Sequence, residues 1–352
     1  MNLNDYGFTP DLLPEDAQGV PARVTAVHRE RCALVCEYGE GYGRLKKSAY
    51  YAGEEQFPTV GDFVLIDWSP AGDSRILRTL PRRTYFSRRA PGPTGGEQAV
   101  AANCDWVFVM QSMNQNFNLK RLERYLAVAW QSGAEPVVVL TKADLAGDPA
   151  SFVRQAQAAA PGTAVHAVSA KTGQGLEALS PYLAPGKTIA FLGSSGVGKS
   201  SLVNALAGEE VMAAGAIREE DGRGRHTTTH RQLLRLPGGV LIIDTPGMRE
   251  LGLWEAGEGL GEAFPDVEAL LGRCRFSDCR HQSEPGCAVR AAIEAGELSS
   301  QRWESWQKLQ AENAASDRAA LLRQKWERSK AISKAVRGQE KLRRKGLRHM
   351  GE

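Results

Sequence analysis

Two hydrophobic rhythms divide the chain. Between Val20 and Leu80, short β-branched runs alternate with Gly turns: Arg23–His28 (RVTAVH), Cys32–Tyr38 (CALVCEY), Asp62–Trp68 (DFVLIDW) and Arg75–Leu80 (RILRTL). About five short strands in such a stretch predict a small barrel of the OB-fold kind. Cys32 and Cys36 lie four apart on one predicted strand, so they share a face and read as small buried apolar residues. From residue 101 the pattern changes. Continuous apolar runs appear at Asp105–Met110 (DWVFVM), Pro136–Leu140 (PVVVL), Ala164–Ala170 (AVHAVSA), Thr188–Gly193 (TIAFLG) and Val240–Asp244 (VLIID). Amphipathic segments such as Leu119–Gln131 and Phe152–Ala159 separate most of them. Strands apolar on both faces, alternating with helices, predict a parallel sheet in an α/β layer. After Gly247 this pattern stops. From about Glu262 the chain reads as helical apart from one Cys/His-rich loop, and Ala311–Met350 is rich in Lys, Arg and Gln.

These rhythms divide the chain into a tail over 1–18, an OB-like barrel over 19–85, a Pro/Gly-rich linker over 86–100, an α/β domain over 101–255 and a helical domain over 256–352. The length, 352 residues, suits two or three domains. A composition of 42% hydrophobic and 24% charged residues excludes a wholly disordered chain. Apolar stretches such as Trp106–Met110 fall far short of the roughly 18 residues a membrane span needs. The polar, acidic start (MNLNDYGFTPDLLPED) is no secretory signal, so the expected compartment is the cytoplasm. Charge is uneven: residues 317–349 carry twelve Lys/Arg against three Asp/Glu, and Arg75–Arg89 holds six Arg and no acid. Local basic blocks on a chain of net charge +3 point to a polyanionic partner, with RNA the expected one. Tyr85 and Phe86, within the Arg block, either stack on bases or close the barrel. Trp303 and Trp306, three apart on a predicted helix, suit packing against the α/β domain.

The strongest chemical signal is Gly193-Ser194-Ser195-Gly196-Val197-Gly198-Lys199-Ser200, followed by Ser201. It matches G-x-x-x-x-G-K-[ST] between a predicted strand and a predicted helix, where backbone N–H groups and the helix N-terminus cradle phosphates. Lys199 is placed to reach the β- and γ-phosphates, and Ser200 to hold Mg²⁺. Thr141-Lys142-Ala143-Asp144 ends another strand. A carboxylate accepts from guanine N1–H and the 2-amino group together, whereas adenine would leave it unpaired, so Asp144 selects GTP. The usual first residue of this motif is Asn, and Thr141 predicts a weaker tether to the phosphate loop. Ser169-Ala170-Lys171 ends the next strand, where a small residue lets a backbone N–H approach guanine O6. Asp244-Thr245-Pro246-Gly247 supplies a D-x-x-G element, with Asp244 toward a Mg²⁺-bound water and the Gly247 N–H toward the γ-phosphate. Gly222–His230 (GRGRHTTTH) occupies the place of switch I, and one of Thr227, Thr228 and Thr229, assigned here to Thr228, closes on Mg²⁺. The parts are those of a GTPase, but their order is circularly permuted. The chain runs from D-x-x-G straight into the C-terminal domain.

At this point the sequence resembles the ribosome small-subunit-dependent GTPase A (RsgA) family, on the permuted motif order, the G-R-H-T-T-T run and the cysteine pattern below. The resemblance covers nearly the whole chain. It implies a multidomain fold: an N-terminal OB-like β-barrel, a central α/β P-loop GTPase domain in circular permutation, and a C-terminal α-helical zinc-binding domain. It also implies that the chain binds the small (30S) ribosomal subunit and its 16S rRNA late in subunit assembly and leaves after GTP hydrolysis, as a monomer with no membrane association. Cys274-x₄-Cys279-x-His281-x₅-Cys287 places three thiolates and an imidazole in fourteen residues, a closed structural zinc shell. Met248 stands where many GTPases carry the water-orienting Gln. The resemblance gives that role to a switch I histidine, His226, with His230 or a ribosomal group as competitors. A GTP-regulated RNA-binding protein with incidental hydrolysis is the second reading. A P-loop small-molecule kinase is disfavoured by Asp144.

Overall fold

The computed structural model describes residues 1–28, 31–45, 57–89, 97–212, 232–244, 257–315 and 318. The switch I segment with His226, Thr228 and His230, the Gly247–Met248 turn and most of the basic C-terminal segment lie outside the described residues.

Five strands make the predicted barrel: β1 (Val20–His28), β2 (Arg31–Cys36), β3 (Gly39–Leu45), β4 (Phe63–Asp67) and β5 (Asp73–Thr79). They run in the order β1-β2-β3-β5-β4, and β4 pairs back onto β1 to close the ring. Only β3 and β5 are parallel. Inward-facing Ala22, Val24, Cys32, Leu34, Cys36, Val64, Ile66 and Ile76 fill it, so both cysteines are core residues as expected. Burial pushes the Cys32 thiol up to about 12, so it stays a neutral packing group. Residues 1–18 are not a loose tail. Leu3 and Leu12 are buried, and the Phe8 ring meets Phe63 edge-on at 5.6 Å, covering the outer face of β4. Three anchors in twelve residues are too sparse to show a period, which is why the pattern missed them.

The expected linker is also structured. Strands β6 (Tyr85–Arg89) and β7 (Glu97–Ala102) pair antiparallel, with only the Pro/Gly-rich stretch between them left undescribed. Phe86 is 2% exposed, and Tyr85 lies beneath the Arg82 guanidinium, 4.5 Å from the ring centroid. Packing therefore takes up the aromatic pair. Arg82 is spent on the fully buried Asp62, with contacts of 2.7 and 2.8 Å.

The α/β domain contributes β8 (Trp106–Ser112), α1 (Leu119–Gln131), β9 (Glu135–Thr141), α2 (Pro149–Ala159), β10 (Ala164–Ala167), β11 (Thr188–Gly193), α3 (Lys199–Ala207), β12 (Gln232–Arg235) and β13 (Leu241–Asp244). The spatial order is β10-β9-β8-β11-β13-β12; all run parallel except β12. Central strands β8 and β11 are buried on both faces, which explains their unbroken apolar runs. Asn118 caps α1 by accepting the Arg121 N–H at 2.9 Å, and Asp148 caps α2 ahead of Pro149. Helices α1 and α2 cover one face of the sheet; α3 and the turn Leu176–Tyr182 cover the other.

Barrel and sheet form one body. Strand β1 pairs with β12 at Ala26 and Gln232, making a continuous eleven-stranded sheet. Arg23, 1% exposed, donates from β1 to the carbonyls of Tyr6, Gly61 and Asn103 and to Thr188 Oγ1 at 2.9 Å. Burial lowers its pKa to about 10, so it remains charged at neutral pH with every acceptor supplied by the protein.

The C-terminal part adds α4 (Gly257–Ala263), α5 (Pro265–Glu268), α6 (Ala288–Glu294) and α7 (residues 300–315). Leu260, Phe264, Val267, Val289, Trp303, Trp306 and Leu309 share one core with Leu122, Tyr125 and Leu126 of α1. The two tryptophans therefore pack where the sequence placed them. Gly259 has no room for a side chain, since a Cβ there would sit 2.3 Å from the Ala127 carbonyl oxygen. Arg302, 6% exposed, locks the layer. It pairs with Glu123 of α1 at 3.1 Å and with both Asp266 oxygens, donates to the carbonyls of Ala159 and Ala263, and lies 4.4 Å from the Phe264 ring centroid. Burial raises the pKa of Glu123, opposed by the Ser305 hydroxyl and Arg302.

Candidate functional site

Ligands of open parallel sheets bind beyond the carboxyl ends of the strands, where the strand order reverses. Here the reversal lies between β11 and β8, and the sequence motifs gather on that edge. Gly193 ends β11 against β8: a Cβ there would lie 3.1 Å from both Met110 Cβ and Met110 O. The loop turns through left-handed Gly196 and Gly198 (φ 69° and 103°) into the N-terminus of α3. Lys199, Ser200 and Ser201 open that helix, with the positive end of its dipole facing the loop.

The Thr141–Asp144 segment is tied to this loop at two points. Thr141 Oγ1 donates to the Val197 carbonyl at 2.5 Å, with the Gln111 carbonyl 3.3 Å away. The hydroxyl thus does reach the phosphate loop, and the weaker tether expected from the missing Asn is replaced by a short direct bond. Lys142, in the left-handed conformation (φ 61°), extends Nζ to the Gly196 carbonyl at 2.8 Å. Ala143 is buried and donates its N–H to the Val168 carbonyl, stitching this segment to the one after β10.

Asp144 is exposed toward solvent, and its Oδ1 accepts the Ser169 hydroxyl at 2.6 Å. Ser169, fully buried, also receives the Thr172 N–H at 3.2 Å, so its hydroxyl is oriented before it meets the carboxylate. Ala170 follows at the rim. The carboxylate is thereby held at the rim with its outer oxygen lone pairs free to accept from N–H donors. Asp244 ends β13, on the same edge beside β11; its backbone is described and its side chain is not.

In the C-terminal part, one ligand atom each from Cys274, Cys279, His281 and Cys287 lies within 4.8 Å of all the others. The His281 Nδ1 stands 3.5 Å from both Cys274 Sγ and Cys287 Sγ, and those sulfurs are 4.0 Å apart. Ligand atoms at tetrahedral corners, bonded at about 2.0–2.3 Å, are separated by about 3.5–3.8 Å, so the four residues fit a tetrahedral metal ion. The Ala288 N–H points at Cys274 Sγ (3.4 Å) and the Arg290 N–H at Cys287 Sγ (3.5 Å), so the backbone orients both sulfurs. Trp303 meets the His281 ring edge-on at 5.4 Å and stacks on Trp306 at 5.0 Å, which anchors the metal loop to α7.

A residue that the motif reading missed completes this loop. Glu284 accepts the N–H groups of Arg280, Gln282 and Ser283 at 2.9–3.0 Å. Backbone N–H donors, its own included, hold its carboxyl down at about 2. Its only sequence signal is its place inside the Cys/His spacing. Arg302 gave no signal either, because its partners come from distant segments.

The sheet order, the phosphate loop and the displaced Thr141–Asp144 and Ser169–Lys171 segments define a circularly permuted P-loop GTPase. The family model described as RsgA GTPase matches residues 79–254. The chain is 44% identical over 351 residues to the small ribosomal subunit biogenesis GTPase RsgA 2 of Listeria monocytogenes, covering 98% of this chain and 100% of that one. It is 44% identical to the small ribosomal subunit biogenesis GTPase RsgA of Streptomyces avermitilis, covering 96% and 95%. Among solved structures it resembles YjeQ from Thermotoga maritima, with a TM-score of 0.63 at 28% identity, covering 84% of this chain and 98% of that one. YloQ, described as a circularly permuted GTPase, shares the fold with a TM-score of 0.59 at 24% identity, covering 86% and 98%. The chain belongs to the RsgA GTPase family.

Proposed function

We propose that this protein hydrolyses GTP to GDP and phosphate while bound to the small (30S) ribosomal subunit, contacts its 16S rRNA late in subunit assembly, and leaves after hydrolysis. One observation carries the reading. The phosphate loop, the Thr141–Asp144 segment and Ser169 converge on one edge of a permuted sheet, in a chain matched almost end to end by relatives named for small-subunit biogenesis. In this reading Asp144 selects guanine, the Lys142 stem covers the base plane, and the amides of residues 194–200 with Lys199 hold the phosphates. Ser200 and Thr228 would hold Mg²⁺, with Asp244 acting through a bound water, and the ion would neutralise phosphate charge. Cys274, Cys279, His281 and Cys287 would hold one zinc per chain, whose closed four-ligand shell makes it structural. The protein works as a monomer in the cytoplasm; no helix among the described residues is long and apolar enough to cross a membrane.

On the subunit His226 orients the attacking water, a role the apolar Met248 cannot take. Single-turnover hydrolysis with and without small subunits tests the function, with strong stimulation expected. Equal rates would refute it. His226→Ala should bind GTP normally and lose subunit-stimulated turnover by roughly 10²-fold. Full stimulated turnover in that variant would move the role to His230 or to the ribosome.

A further inference from the structure

Away from the nucleotide edge, α1 and α7 enclose a notch of about 180 Å³ lined by Lys120, Arg121, Arg124, Ser305, Lys308 and Leu309. Four of the six lining residues are cations and none is an acid. Two carboxylates lie nearby: Glu312 meets Arg124 at 2.8 Å and offsets that one charge, and Glu123, behind Ser305, is paired with Arg302. Lys120 and Lys308 are exposed on opposite walls, one on each helix. The Arg121 guanidinium between them is held in place: its Nη2 donates to Gln111 Oε1 at 3.2 Å and to the Asn116 carbonyl. Its Nε–H is buried and has no acceptor among the described residues. Four positive charges from two separate segments are thus gathered, with a fixed donor left unsatisfied, which folding alone does not require. An anion seated between the two helices would balance the gathered charge.

We propose that this notch takes a backbone phosphate of ribosomal RNA. The inference rests on the functional reading above. The notch is small enough for a tetrahedral anion, and its only apolar wall, Leu309, offers no ring on which a base could stack. Lys308 lies on α7, and in sequence α7 is followed by residues 317–349, which carry twelve Lys/Arg against three Asp/Glu, a composition suited to a polyanionic strand rather than an isolated ion. Ser305 gives its hydroxyl to Glu123 and serves as wall, not donor.

The test uses the full chain carrying Lys120→Gln and Lys308→Gln together. Neither residue belongs to the nucleotide site, so basal GTP hydrolysis and melting temperature should match wild type. Binding is measured across a salt series to small subunits and, in parallel, to protein-free 16S rRNA, with a non-hydrolysable GTP analogue present. For both targets the double variant should bind roughly tenfold more weakly near physiological salt, with a log–log salt slope shallower by about one, the release expected for one phosphate contact. Glu312→Gln should act in the opposite direction and tighten binding, an effect no loss of packing would produce. Unchanged affinity and slope in the double variant, with wild type binding normally, overturns the notch and leaves the functional reading intact. Weakened binding to subunits but not to free rRNA overturns the RNA assignment in favour of an acidic protein partner. Wild type that binds neither target overturns the functional reading and this proposal with it.

Discussion

Thr141 sits where this class of GTPase usually has Asn, and its hydroxyl makes a 2.5 Å bond to the Val197 carbonyl. Both residues are 4% exposed, so neither group finds water when the bond is broken. Thr141→Val keeps the shape and removes the donor, leaving a buried carbonyl unsatisfied. Such a loss costs about 1–3 kcal/mol. The second tether, from Lys142 Nζ to the Gly196 carbonyl, remains, which places the expected effect at about 1–2 kcal/mol, or about 5- to 30-fold in nucleotide affinity. The bond lies behind the phosphate loop and not at its γ-phosphate end, so GTP and GDP should weaken by the same factor. Thr141→Ser, which keeps the hydroxyl, should stay near wild type. Titration of a fluorescent guanine nucleotide in both phosphorylation states measures the effect. Affinities within twofold of wild type, or a loss confined to GTP, would refute the tether argument.

Asp144→Asn turns one acceptor into a donor facing the base; GTP affinity should fall by about 2–4 kcal/mol while preference shifts toward xanthosine triphosphate, read by competition binding. Arg302→Ala leaves Glu123 buried beside α1 without its cation and should destabilise the chain by about 3–5 kcal/mol in chemical denaturation; an Arg302→Met, Glu123→Leu pair should recover much of that, and strictly additive losses would contradict the coupling. Glu284 has a depressed pKa, so its stabilisation of the metal loop is present above the ordinary carboxylate range and is lost as pH falls toward about 2. Glu284→Gln should therefore release zinc at a higher pH than wild type in a chelator assay, and an identical release midpoint would count against the clamp.

What the sequence made legible was chemistry carried by contiguous residues. The phosphate loop, the Thr141–Asp144 segment and the Cys/His loop each contain their own spacing, and each lies at a strand or helix end that its flanks announce. The barrel and the parallel sheet were readable for the same reason, since period and run length are local. Interactions closing over long separations were not. Arg302 and Glu123 are 179 residues apart, and Arg23 reaches Thr188 across 165. A lone Arg in a strand or helix looks like solvated charge until the fold supplies acceptors. Residues 86–100 read as a linker because Pro and Gly dominate their middle, although the two flanks pair as strands. The exchange of Asn for Thr141 read as a deficit because the pattern encodes residue type and not reach.

The core shared by α1 and the C-terminal helices bears on where this protein can be cut. The family match ends at residue 254, and a fragment stopped there would contain every described nucleotide-reading element. It would also strip Leu260, Phe264, Val267, Trp303 and Leu309 from the apolar side of α1 and leave Glu123 without Arg302. The segment matched by the family model is here smaller than the apolar core it belongs to. Recombinant GTPase fragments should aggregate unless they extend through residue 315, and limited proteolysis of the whole chain should release no nucleotide-binding core lacking α4–α7.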